Sequence, residues 1–193
     1  MKSRRQFAVN ILAALLVAGT LFGQNFWDRK QYLQWTNEEI SRLTSDSPWA
    51  KELDVTAGGQ NIKLKITWLT ALPIKQAVLK ERMDEGGILA ESAKEIMAVQ
   101  EEYYAIGVTG LPADMAQKLT EASLRVANKP EIEPSKGDFQ SRGRTVDIMI
   151  LFPRTNPIAI EDNEVEVILK LNEAEIGKKF PLKDMVYNGK LEL

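Results

Sequence analysis

The chain of 193 residues contains no cysteine and no histidine. Without cysteine there is no disulfide, no thiolate nucleophile and no sulfur for a lipid anchor. Without histidine there is no Ser-His-Asp triad, no Cys-His pair and no imidazole general base. The two absences together deprive zinc and copper of their usual nitrogen and sulfur ligands. A glycine-rich phosphate loop, a Gly-x-Ser-x-Gly elbow and a Ser-x-x-Lys motif are missing as well. What remains open is carboxylate chemistry, oxygen-ligated calcium or magnesium, or a lysine-assisted nucleophile. The composition itself calls for no cofactor and no metal.

An excess of positive charge is also lacking. Lys plus Arg number 25 against 27 Asp plus Glu, for a net charge of −2. A mildly acidic chain without a basic patch is a poor binder of nucleic acid and has no polybasic surface for anionic lipid. A long hydrophobic run is lacking too. The longest, Ile11 to Phe22, falls short of the roughly 20 residues that a helix needs to cross a bilayer.

That run nevertheless stands at a telling place. Lys2, Arg4 and Arg5 precede it, and no acid occurs before Asp28. A positive head followed by an apolar core of about 7–15 residues is the pattern of an export signal. The expectation is a signal peptide over 1–23, cleaved after Gly23, followed by a single domain over 24–193. An uncleaved anchor helix is the alternative. Ser3-Arg4-Arg5-Gln6-Phe7 resembles the twin-arginine signal at Ser3, Arg4, Arg5 and Phe7, although the strong apolarity favours the general secretory route. Cleavage would lower Lys plus Arg from 25 to 22, leave the 27 acids untouched and move the net charge to −5. The product would be periplasmic or extracellular, with no stable membrane insertion.

Along the rest of the chain, Thr36-Asn37-Glu38-Glu39 is a capping box and predicts a helix over 37–44. Ser47-Pro48 repeats the start signal and predicts a helical turn at 48–52. Leu53 to Leu69 reads as a hairpin turning at Gly58-Gly59. Pro73 opens a helix to about Met83, and a second helix is predicted over 88–101. Tyr104, Ile106 and Val108 predict a strand. Met115, Leu119, Ala122 and Val126, spaced 4-3-4, predict a helix opened by Pro112. Residues 128–143, rich in proline, glycine and charge, predict a loop.

Val146, Ile148, Ile150 and Phe152 mark a strand. So do Val165, Val167, Leu169 and Leu171, with a return strand through Ile176 and Phe180, and Asn188-Gly189 signals a tight turn. Helices and strands fall in blocks, which predicts an α+β fold: a mainly antiparallel sheet with helices packed on one face.

Two stretches resemble a group of exported bacterial proteins of unknown function. One is Trp35-Thr36-Asn37-Glu38-Glu39 with Ser47-Pro48-Trp49-Ala50-Lys51. The other is Phe180-Pro181-Leu182-Lys183-Asp184-Met185-Val186-Tyr187-Asn188-Gly189-Lys190-Leu191-Glu192-Leu193. Phe152-Pro153-Arg154 fits the same pattern. The resemblance implies export and one small domain, and carries over no reaction, ligand or catalytic residue.

Candidate site residues are few. Trp27, Trp35 and Trp49 could present a stacking platform to a partner or pack into the core, with core packing the commoner outcome and Trp27 the best candidate for exposure. Glu161-Asp162-Asn163-Glu164 lacks the spacing of a calcium loop and reads as a solvated turn. Asp184 could pair with Arg154 to pin the C-terminal string. No catalytic residue can be selected among 27 acids. The function expected is therefore non-catalytic: an exported protein that binds or supports another envelope protein. The rivals are a carboxylate-dependent glycan hydrolase, which needs two acids in one cleft, and a small-ligand carrier with an enclosed aromatic pocket.

Overall fold

A computed structural model of the chain describes residues 25–57, 59–87, 102–171 and 174–193, with 92, 94 and 97 between them. The predicted export signal, with Ser3, Arg4, Arg5 and Phe7, lies outside the described residues, and the helix predicted over 88–101 lies almost wholly outside them.

The N-terminal part is helical. A one-turn helix α1 (Phe26–Arg29) and a 3-10 turn (Tyr32–Gln34) lead to α2 (Asn37–Ser45). The capping box at its start forms: the Glu39 N–H donates to Thr36 Oγ1 at 3.3 Å and the Thr36 N–H to Glu39 Oε2 at 3.0 Å. Ile40 and Leu43, one turn apart, form its buried side. The helical turn predicted at 48–52 does not form. Ser47 Oγ accepts the N–H groups of Trp49 and Ala50, both at 3.1 Å, as a cap would. The chain then enters strand β1 (Ala50–Ala57). Serine followed by proline serves a turn as readily as a helix start.

Strand β1 pairs antiparallel with β2 (Gln60–Trp68), and α3 (Leu72–Asp84) follows. Next come β3 (Tyr103–Pro112), the one-turn helix α4 (Ala113–Ala116), β4 (Leu119–Val126), β5 (Lys136–Arg142), β6 (Thr145–Pro153), β7 (Glu164–Leu171) and β8 (Ala174–Pro181). A small hairpin, β9 (Val186–Tyr187) and β10 (Lys190–Leu191), closes on Asn188-Gly189. The strands make a five-stranded sheet in the order β1-β2-β3-β6-β5, a three-stranded sheet β4-β7-β8 and the two-stranded β9-β10, all antiparallel.

This overturns the predicted fold class. The fold is β-rich, with short helices, and the helices do not form a layer on one face of a sheet. The cause lies in two misread segments. Residues 119–126 are β4, not helix, and 136–142 are β5, not loop. The first supplies an outer strand of the second sheet, so sheet packs on sheet where helices were expected.

One apolar core joins both sheets. Ile62, Leu64, Ile66 and Trp68 of β2 and Ile148, Ile150 and Phe152 of β6 face Val165, Val167 and Leu169 of β7 and Phe180 of β8 within it. Trp68 and Phe180 meet edge to face at 5.9 Å, a favoured aromatic geometry. Strand β3 needs a bulge to stay in this layer. Its register against β6 shifts between Val108 and Leu111, and Gly110 there has φ +87°. A side chain at Gly110 would meet the Lys63 carbonyl, so the bulge requires glycine.

Candidate functional site

Trp27, Trp35 and Trp49 lie in the core, at 4%, 2% and 0% exposure. Phe26 stacks edge to face on Trp27 (4.9 Å) and Trp35 (5.7 Å), Trp27 on Trp49 (5.8 Å), and Trp49 on Tyr187 (6.3 Å). Indole Nε1 of Trp49 donates to the Glu192 carbonyl at 2.9 Å. All three indoles are buried in the core, Trp27 included, although Trp27 still borders two open clefts. The same contacts have a second consequence. The two strings singled out in the sequence, about Trp49 and about Tyr187 and Glu192, meet in space.

Arg154 does pin the C-terminal string, though not through Asp184. Its Nη2 donates to the Leu193 oxygen at 2.5 Å, and its guanidinium lies 4.3 Å from the centroid of the Tyr104 ring, a cation–π arrangement. The Tyr104 hydroxyl accepts the Ile158 N–H at 2.9 Å. Two of the three acids at 161–164 are engaged by lysines: Asp162 with Lys129 at 2.6 Å and Glu164 with Lys179 at 2.6 Å.

Two of the open clefts among the described residues stand out. The first, of about 500 Å³, lies where the two strings meet. Asp28, Asp46 and Asp184 line it together with Arg42, Lys51 and Lys183. Partial desolvation raises the carboxyl pKa of Asp28, against a hydrogen bond from Asn25. The Lys51 ammonium, bonded at 2.9 Å, holds Asp46 below the usual carboxylate range. Neighbouring carboxyls whose titrations are driven apart are the raw material of acid–base chemistry.

The second cleft, of about 440 Å³, lies between β4 and β5. Ile148 and Ile150, at 2% and 3% exposure, supply its apolar floor. Phe139 of β5, at 55% exposure, stands on its rim, and Glu121 and Glu133 are exposed beside it. All seven residues of β5 are exposed.

Among the described residues nothing pairs with the outer side of β5. Gly143 and Arg144 form a two-residue turn from Arg142 to Thr145, with Gly143 at φ +66°, as a type II′ hairpin requires. The turn bond directs the polar groups of Arg142 at β6, and alternation along the strand does the same for Gln140, Asp138 and Lys136. The N–H and C=O groups of Gly137, Phe139 and Ser141 therefore point away from the sheet, with no partner among the described residues.

Sequence reasoning missed this edge. The available signal was Gly143-Arg144 immediately before a strong strand, which is a hairpin signature. No protein family, curated protein or solved structure matches the chain.

Proposed function

We propose that this chain is an exported, non-catalytic envelope domain that works by pairing with another envelope protein along β5. One observation carries the reading: an edge strand of seven exposed residues, its outward backbone groups unpaired among the described residues, bordering an apolar groove. An extended segment can add to such an edge through main-chain bonds while its side chains enter the groove. The other sheet edges are less open. Ile132 caps β4 by bonding Leu124 in both directions, two adjacent charges of one sign, Lys178 and Lys179, occupy β8, and α2 packs against β1. Charges and covers of this kind are how edges are protected from pairing.

Affinity capture of the tagged full chain, crosslinked in its native envelope, tests the reading when run beside the Ser141→Pro variant. The Ser141 N–H points outward, so proline there spares the bonds to β6. The expected result is a captured chain that Ser141→Pro loses. Equal capture by both forms would refute the role of β5.

A second reading rests on the aspartate cleft. Asp28, Asp46 and Asp184 line one opening, and a glycan hydrolase needs two acids in one cleft. Release of soluble sugar from cell-wall glycan, abolished by Asp28→Asn, would establish it. The carrier reading is less favoured, since among the described residues the N-terminal aromatics pack on one another and both of these clefts are open.

A further inference from the structure

We infer that the chain seated on β5 is a second copy of this protein, paired antiparallel about a two-fold axis at Gln140. The inference rests on the reading of β5 as a pairing edge and names the partner.

The outward backbone groups belong to Gly137, Phe139 and Ser141, which restricts how two β5 strands can meet. In an antiparallel pair, residues that exchange hydrogen bonds must both point into the gap. Three central registers satisfy this. Centred on Phe139, the pairing sets Lys136 opposite Arg142. Centred on Asp138, it sets two aspartates face to face. Both place like charges directly opposite, which is destabilising. Centred on Gln140, it sets Asp138 of each copy opposite Arg142 of the other, so two opposite-charge pairs form by symmetry. Phe139 then exchanges hydrogen bonds with Ser141, and Lys136 comes level with Arg144, which lies in the turn beyond the last strand residue.

The side chains agree with this register. Asp138 and Arg142 share the face that carries Met149 and Thr145, while Phe139 and Ser141 share the face of Ile148 and Val146. Arg142 already pairs with Asp147 on β6, so the incoming Asp138 would face a guanidinium held in place. The two Phe139 rings become diagonal neighbours across the axis, within aromatic reach, and each covers surface that is 55% exposed in the single chain. Charged residues on an edge strand ordinarily turn away other strands. Here the charges at 138 and 142 find their complements on an antiparallel copy of the same strand.

The absence of cysteine makes the test direct, because one introduced cysteine can form a disulfide only between molecules. The full chain carrying Gln140→Cys is exposed to a mild oxidant and run on a non-reducing gel, beside Asp138→Cys alone and Asp138→Cys mixed with Arg142→Cys. The expected result is a dimer band for Gln140→Cys and for the mixture, and none for Asp138→Cys alone. Light scattering on the unmodified chain should give a dimer mass that Ser141→Pro reduces to a monomer.

If Gln140→Cys fails to link, and the envelope chain captured in a β5-dependent way is a different protein, the self-pairing inference falls and the reading of β5 stands. If nothing links and nothing is captured, both fall. A dimer that survives Ser141→Pro would place the interface elsewhere and overturn the inference.

Discussion

Gly110 and Gly143 both adopt positive φ, at +87° and +66°, but their surroundings differ. A Cβ at Gly143 meets nothing within 4 Å, whereas one at Gly110 runs into the Lys63 backbone. Gly143→Ala should therefore cost only the strain of a side chain at positive φ, about 1–3 kcal/mol. Gly110→Ala carries the same strain and must also push two strands apart, so a loss of about 3 kcal/mol or more is expected. Urea unfolding of the two variants checks this, and equal losses would mean that the bulge gives way at no cost.

Asp28 supplies a prediction of the opposite sign. Partial desolvation raises its pKa in the folded chain, so the unfolded chain gives up that proton more readily. The penalty is absent below the ordinary pKa of 3.8 and is fully present once pH exceeds the raised value. Asp28→Asn should accordingly shift the urea midpoint upward at pH 7 and leave it unchanged at pH 3. Glu131 behaves in the reverse way. Hydrogen bonds from Arg125 and then Ser123 lower its pKa from 4.5, so its contribution is present above that value and fades as pH falls below it.

At the scale of elements, α2 is short enough to depend on its cap. Thr36→Ala removes one half of the capping box and should lower stability by about 1 kcal/mol. Adding Glu39→Ala should cost less than its effect alone, because the two groups act reciprocally. A fully additive double variant would show that the box contributes nothing as a unit.

This helix was legible because its signal is local and lies within four residues. The β7–β8 hairpin was legible because Val165, Val167, Leu169 and Leu171 alternate over a buried face. Strand β4 was not. Leu119, Ala122 and Val126 happen to fit a helical stripe, but what holds them is pairing with β7, from Val126 opposite Val165 to Leu119 opposite Leu171. No local window sees a partner that distant. Burial of Ser123 beside Ala122 and Leu124 also erases the strand's alternation. Strand β5 was hidden for a different reason. With all seven residues exposed, it carries no hydrophobic period to read. The same exposure that makes β5 a candidate binding edge thus removes it from sequence-level view. The three tryptophans drew attention as candidates through residue type, and burial settled their place.

Across the whole molecule, the decisive feature is the single core shared by two sheets. Trp27, Trp35, Trp49 and Trp68 all belong to the N-terminal cluster or the five-stranded sheet, and β4, β7 and β8 contain no tryptophan. Tryptophan fluorescence therefore reports one side of the core, while Phe180, fully buried on β8, is a perturbation on the other. Phe180→Ala should cost about 3–5 kcal/mol by the cavity it leaves, a large part of the roughly 5–15 kcal/mol that holds a domain folded. If the sheets share one cooperative core, the midpoint by fluorescence must fall as far as the midpoint by far-ultraviolet circular dichroism, and the two curves must stay superimposed. Were the three-stranded sheet a separable unit, the variant would lose its strand signal first while the tryptophans stayed buried. Two resolved transitions would then show that the Trp68–Phe180 contact joins two independently folding layers, and that pairing at β5 is supported by the five-stranded sheet alone.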